Sequence, residues 1–219
     1  MAAIKKQSLV DQVYDKLRSD IISLQRPLGS KLNVNEMQEE LGVSCTPIRE
    51  AINRLQNEGL VVYENNVGAR VLTLERHDVV EIQQLATTLH CAAVELAMKN
   101  ADHEVMAREL EKHLEDYRKA RSVQSEVMAV NRLIGTFYHC CGNARLDKSM
   151  ISIQGQQLLL RYIYAVEGNG REDNKADFAR IIAAVRAGDS GLVCAILGEN
   201  AGRAEPAILA YIQRTCVWQ

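Results

Sequence analysis

The stretch Asn33-Val34-Asn35-Glu36-Met37-Gln38-Glu39-Glu40-Leu41-Gly42-Val43-Ser44-Cys45-Thr46-Pro47-Ile48-Arg49-Glu50-Ala51-Ile52-Asn53-Arg54-Leu55 decides the fold. Its first third reads as a short polar helix. Gly42 supplies the left-handed residue that ends it, and either Ser44 or Thr46 can cap the free N–H groups of a second helix. Pro47 falls in the first turn of that helix, where a missing N–H costs nothing. Ile48, Ile52 and Leu55 recur at helical spacing and form an apolar face, which leaves Ser44, Cys45, Arg49 and Asn53 toward the other side. Helix, tight turn and helix follow without a spare residue, which is the order of a helix-turn-helix.

Working outward, the period changes after Glu58-Gly59. Leu60-Val61-Val62-Tyr63, a turn over Glu64-Asn65-Asn66-Val67-Gly68, and Ala69-Arg70-Val71-Leu72-Thr73-Leu74 predict a β-hairpin, the wing of a winged helix. On the other side, Ser8 or a neighbour starts a helix whose Val10, Val13, Leu17, Ile21 and Leu24 lie on one stripe and pack against the helix-turn-helix. That helix ends before Pro27-Leu28-Gly29.

From Glu75 onward the pattern is helical. Helices are expected over 78–100, 102–123, 125–141, 144–164, 175–187 and from Asp189 to near the end. Asp102 and Ser125 are expected N-caps, Gly142-Asn143 and Gly188-Asp189 stop and restart the chain, and Pro206 is expected to kink the last helix. The fold class is thus mostly α: an N-terminal winged helix-turn-helix over residues 1–74, then an antiparallel bundle of about six helices over 75–219.

Composition limits the function. The 219 residues carry 47% hydrophobic side chains, enough for two real cores, and a formal net charge of −2. Up to Leu74, lysines and arginines equal aspartates and glutamates in number, so any binding to nucleic acid must come from local placement of charge. The six cysteines show no C-x-x-C spacing and the N-terminus lacks the apolar core of a signal peptide, which predicts a reduced, cytoplasmic setting. No apolar run is long enough to span a bilayer, so no membrane partner is expected. Acidic residues and histidines are scattered, and no Gly-rich phosphate loop is present, so no enzyme is expected. His139-Cys140-Cys141 with His90 or Cys91 is the only other metal candidate; consecutive helical residues point about 100° apart and do not share a tetrahedral site, so buried small cysteines are the stronger reading.

Gly42-Val43-Ser44-Cys45-Thr46-Pro47-Ile48-Arg49-Glu50-Ala51, then Arg54-Leu55 and Glu58-Gly59-Leu60, resembles the DNA-binding domain of the GntR family of bacterial transcription regulators. Val80-Glu81-Ile82-Gln83-Gln84-Leu85, Cys141-Gly142-Asn143 with Leu146, and Ala184-Val185-Arg186-Ala187-Gly188-Asp189 resemble the FCD effector domain of its FadR-like subfamily. The resemblance implies a homodimer on double-stranded operator DNA. The DNA would be met by Asn35, Ser44, Cys45, Thr46, Arg49 and Asn53, with Asn66, Gly68 and Arg70 from the wing. Three places depart from the family: Cys45, Val67 and Asn35 stand where it usually has arginine, which implies weaker binding and a different sequence read. At the helix N-terminus a redox-sensing role for the Cys45 thiol is the minor alternative to a small residue facing the groove.

Many FCD domains hold a divalent metal through one Asp and three His. Here those positions fall on Val130 and Ile134 (or Asn131 and Gly135 in the neighbouring register), Phe178 and Asn200. The resemblance therefore implies no metal and no other cofactor. A carboxylate effector is then expected to lack its anchoring cation. Either Phe178 and Ile134 fill the former cavity, or a pocket persists for an apolar or amphipathic small molecule oriented by Asn200 and Arg161 or Tyr162. Two other readings stay open: a winged helix turned into a protein-interaction module, and a metal-dependent sensor.

Overall fold

The computed structural model describes residues 7–64, 67–168 and 170–215. The Ser8 hydroxyl accepts a hydrogen bond from the Asp11 amide and the Asp11 carboxylate accepts one from the Ser8 N–H, and this reciprocal cap starts α1, Leu9–Ile22. Asn33 caps α2, Val34–Leu41, by accepting from the Asn35 amide at 3.0 Å. Gly42 closes that helix at φ 65°, a conformation that glycine adopts without steric cost. Ser44 is the N-cap of α3, Cys45–Asn57, with extended backbone but no side-chain capping bond. The expected cap from Ser44 or Thr46 is therefore corrected: Thr46 lies inside the first turn and the exposed Ser44 hydroxyl is left to solvent.

Pro47, Ile48, Ala51, Ile52 and Leu55 of α3 are buried against the α1 stripe of Val13, Leu17 and Ile21. β1, Val61–Glu64, pairs antiparallel with β2, Gly68–Val71, in the register Val61↔Val71 to Glu64↔Gly68. Lys31 bridges to Arg70 and the Leu32 amide donates to the Ala69 carbonyl at 2.8 Å, so the loop before α2 lies along the hairpin. Where that loop leaves α1, Leu24 takes φ 60°, a strained value for a branched side chain.

The chain divides into two compact units, Met1–Leu74 and Glu75–Gln219. In the second, the described residues form α4 (Arg76–Asn100), α5 (His103–Lys119), α6 (Val123–Cys140), α7 (Ala144–Val166), α8 (Arg171–Ala187) and α9 (Ser190–Thr215). The mostly α class with a two-stranded hairpin is the observed fold. Several boundaries differ from expectation, and α5 ends at Lys119, short of the expected 123. Ser125 is not an N-cap: it is the third residue of a cap centred on Ser122, so α6 begins at Val123. α8 begins at Arg171 because the guanidinium of Arg171 is held by Glu126 and by the carbonyl of Ala120. α9 runs as one helix with Pro206 inside it. The core cluster runs through α4, α5, α6, α8 and α9, with Phe137, Leu110 and Leu133 among its fully buried side chains.

Candidate functional sites

Two places carry chemistry, one in each unit. In the first, α3 turns its apolar face inward, so Ser44, Thr46, Arg49 and Asn53 are exposed and Cys45 is half-buried, with its thiol donating to Gln38 Oε1 at 2.8 Å. Asn35 is exposed at the start of α2. Gly68 and Arg70 are half-buried on the hairpin, and Asn66 lies outside the described residues.

Most cations of this unit are already matched. Arg18 pairs with Glu58 at 2.8 Å, Arg26 with Glu40 at 2.7 Å and Arg54 with Asp11 at 2.7 Å. Arg70 Nε lies 3.0 Å from Glu64 Oε2, in ion-pair contact without hydrogen-bond alignment, while Nη1 donates to the Gly29 carbonyl at 2.9 Å. Among the described residues Arg49 makes no ion pair. It is the exposed cation on α3 free to meet an anion, and its position follows from the i, i+3 and i+4 spacing that buries Ile48, Ile52 and Leu55. Tyr14, beneath the Arg54 guanidinium at 6.0 Å, is pushed up to about 12 by burial and by its hydrogen bond to Glu58, so it is a fixed strut of the α1–α3 contact.

In the second unit, α4, α6, α7, α8 and α9 line a cavity of about 90 Å³. Val130, Ile134, Arg161, Phe178 and Asn200 line it, although Val130 and Ile134 came from one sequence anchor and Phe178 and Asn200 from another. Asn131 and Gly135, the alternative register, line a neighbouring cleft of about 490 Å³ that shares His90, Ile134 and Gln157 with the cavity. Tyr162 is not among the lining residues of either. Phe178 is buried and meets Tyr117 edge-on with ring centroids 5.5 Å apart, so it takes up much of the space. The remaining volume is below the few hundred Å³ usual for ligand pockets and ample for several waters or a small polar group.

The cavity wall is mostly apolar, with two polar groupings set into it. Asn200 Nδ2 donates to Asp177 Oδ2 at 3.0 Å and to Asn174 Oδ1 at 2.8 Å, and Asp177 is further paired with Arg203 and Arg180. At another part of the wall stand His90, Gln157 and Arg161. Gln157 Nε2 lies 2.7 Å and Arg161 Nη2 3.2 Å from His90 Nε2, so both donate to its lone pair and the ring proton sits on Nδ1, facing the Tyr138 hydroxyl at 3.0 Å. Burial, and then the nearby guanidinium, depress His90 to about 3. Burial also lowers Arg161, to about 10. Arg161 is half-buried and lines the cavity. No carboxylate among the described residues pairs with it; its other contact is Asn131 Oδ1 at 3.5 Å. Gln157 Oε1 is buried and has no hydrogen-bond partner.

Arg161, offered by the sequence as one of the groups able to orient a ligand, does line this cavity. Arg161 was legible as a neighbour of the pocket, but His90 and Gln157 were missed. The signal was the i, i+4 spacing of Gln157 and Arg161 on one helix face; the partner His90 is remote in sequence.

A divalent metal does not fit here. Three of its four expected positions carry Val130, Ile134 and Phe178, the amide of Asn200 is engaged, and a guanidinium borders the same space. His139 is exposed and Cys141 buried, and among the described residues no group of three or more metal-ligating side chains comes together.

Comparison with known proteins agrees with this architecture. The family described as bacterial regulatory proteins, gntR family, matches residues 9–71, and the FCD domain matches residues 81–201. The HTH-type transcriptional regulator YdhC of Bacillus subtilis is 33% identical over 127 residues, covering 58% of this chain and 56% of that protein. A D-xylose utilization operon transcriptional repressor of Paenarthrobacter nicotinovorans is 31% identical over 124 residues, covering 57% and 51%. The chain thus spans about half the length of these two relatives. The HTH-type transcriptional regulator McbR of Escherichia coli is 27% identical over 196 residues, 85% of this chain and 86% of that one. Its solved structure superposes with a TM-score of 0.75 at 24% identity, covering 93% of this chain and 97% of that chain, which speaks for the fold. These relatives are regulators and not enzymes. With the two domains matched in order, the chain belongs to the GntR family of bacterial transcription regulators, in the branch that carries an FCD domain.

Proposed function

We propose that this protein is a cytoplasmic regulator that binds double-stranded operator DNA as a homodimer, with Met1–Leu74 reading DNA and Glu75–Gln219 receiving a small-molecule effector without a metal. The observation that carries the DNA reading is the exposed, unpaired Arg49 on α3, directly after the Gly42 turn, in a unit whose other arginines are mostly neutralised in place. A single unpaired cation on α3 gives little phosphate attraction, so two copies on two half-sites about one DNA turn apart are needed for useful affinity. Asn35, Ser44, Thr46 and Asn53 are the polar side chains placed to face a major groove, and Gly68 and Arg70 the wing residues placed to approach a phosphate.

The test is retention of fragments selected from the source genome, followed over a range of salt. Arg49→Ala is expected to cost about 1–3 kcal/mol, some five- to 150-fold, if Arg49 meets a base. Cys45→Arg should tighten binding, since it adds a cation beside Arg49. Unchanged affinity in both variants would remove α3 from the groove. If no fragment is retarded even at low salt, the winged helix is a protein-interaction module instead.

Dimerisation is tested separately by mass in solution at micromolar concentration and on DNA. A monomer under both conditions defeats that part of the reading.

A further inference from the structure

Two cysteines can be bridged only where neighbouring elements bring their side chains together. Cys91 on α4 and Cys194 on α9, 103 residues apart in sequence, are such a pair. Two contacts fix the antiparallel register of these helices. The Cys194 thiol reaches the Cys91 carbonyl at 3.9 Å, and about two turns away Gln83 Nε2 donates to the Ala201 carbonyl at 3.2 Å. The two thiols also touch each other electrically: burial first, then the hydrogen bond and charge of the Cys91 side chain, then Glu95, push Cys194 up to about 12. Both cysteines are half-buried and unbridged. Cys194 packs on the core cluster, whereas Cys91 lines a groove of about 710 Å³ between α4 and α9. Gly198 and Gly202 line the same groove, with open space where a side chain would stand, so a small molecule can reach Cys91 from solvent.

We propose that Cys91 and Cys194 form a reversible redox pair, which a peroxide converts to a disulfide tying α4 to α9. The proposal stands apart from both the effector reading and the DNA reading. Cys91 gives up its proton and its sulfur attacks one peroxide oxygen; the O–O bond breaks, leaving a sulfenic acid and one water. The Cys194 sulfur then attacks the Cys91 sulfur, the S–O bond breaks, and the departing hydroxide takes the Cys194 proton as a second water. Two thiols lose two electrons and two protons, and one peroxide is reduced to two waters. A thiol held up to about 12 is scarce as thiolate and leaves poorly, so the bridge closes slowly and, once closed, reopens slowly. It therefore records sustained peroxide and not a brief pulse. His90 on α4 and Ile196 and Asn200 on α9 line the cavity of about 90 Å³, so the bond holds two of its walls at one spacing.

The experiment treats the full chain with hydrogen peroxide in the presence of chelator, alkylates the remaining thiols, and maps peptides without reductant. The expected product is an intrachain bond between the peptides that contain Cys91 and Cys194, reopened by dithiothreitol. Because the bond closes a loop of about a hundred residues, the melting transition of the helical unit should rise by roughly 5–15 °C. Amide exchange along α9 should slow at the same time. Cys91→Ser and Cys194→Ser should each lose both the bridge and the rise, and the peptide map of the parent decides the matter even if a variant folds poorly. Thiols left unmodified, Cys91 carried on to sulfinic acid without a bridge, either cysteine joined to a different thiol, or a bridged chain that melts no higher than the reduced one would overturn the proposal.

Discussion

Phe137→Ala is expected to destabilise the helical unit by about 3–5 kcal/mol, the range for removing a buried aromatic ring whose surroundings do not collapse. Phe137 is 1% exposed on α6 and belongs to the cluster shared by α4, α5, α6, α8 and α9. The neighbouring elements that would have to move in to fill the void are long helices held at both ends, so relaxation is limited. At about 2–4 °C per kcal/mol for a domain of this size, the melting transition should fall by roughly 6–20 °C. Calorimetry that resolves the two units is the appropriate measurement, since a chain with two compact units need not unfold in one step. A loss under about 1 kcal/mol would mean that the α5–α6 contact is not packed as described. Phe137→Leu, which keeps most of the volume, should lose much less.

The helix-turn-helix was legible because Gly42 has one role that its chemistry fits and the Ile48, Ile52, Leu55 stripe admits a single orientation of α3, whereas the cap of α3 stayed open between Ser44 and Thr46. The α5–α6 junction was less legible because Ser122 and Ser125 are both good caps; only the backbone decides that Ser122 receives the amide and Ser125 answers it. The start of α8 was misplaced for a different reason. Arg171 and Glu172 look like loop residues in sequence, and what orders them is a long-range grip of Arg171 on Glu126 and the α5 C-terminus. Long-range pairing also hid the polar groups in the cavity wall: four positions found by analogy converge on one space, but His90, Gln157 and Arg161 come from α4 and α7 and meet only in the folded unit. Charge pairing in the N-terminal unit was invisible for the same reason. A neutral count of ions says nothing of which arginine is left over.

The helical unit is also expected to lose stability in mild acid, and His90 is the cause. Its ring is depressed to about 3 in the folded chain, from 6.5 for an ordinary histidine, because burial and the Arg161 charge oppose protonation. The unfolded chain therefore takes up a proton that the folded one refuses between those two values. Stability is complete above pH 6.5, falls by about 1.4 kcal/mol for each pH unit below it, and levels off near pH 3. At pH 5 the loss is about 2 kcal/mol, and over the whole window roughly 5 kcal/mol. His113, lowered mainly by partial burial, adds in the same direction. The paired surface carboxylates Asp11, Glu109, Glu111 and Glu172 are held below their ordinary values and titrate later, so they do not obscure the range from pH 7 to 5. The measurement is denaturant unfolding at pH 8 and pH 5 for the parent and for His90→Gln. The variant should keep more of its stability on acidification, narrowing the difference between the two pH values by about 2 kcal/mol. Parallel losses in both proteins would show that His90 takes up its proton without resistance, and the hydrogen bonds assigned to Gln157 and Arg161 at Nε2 would then be wrong.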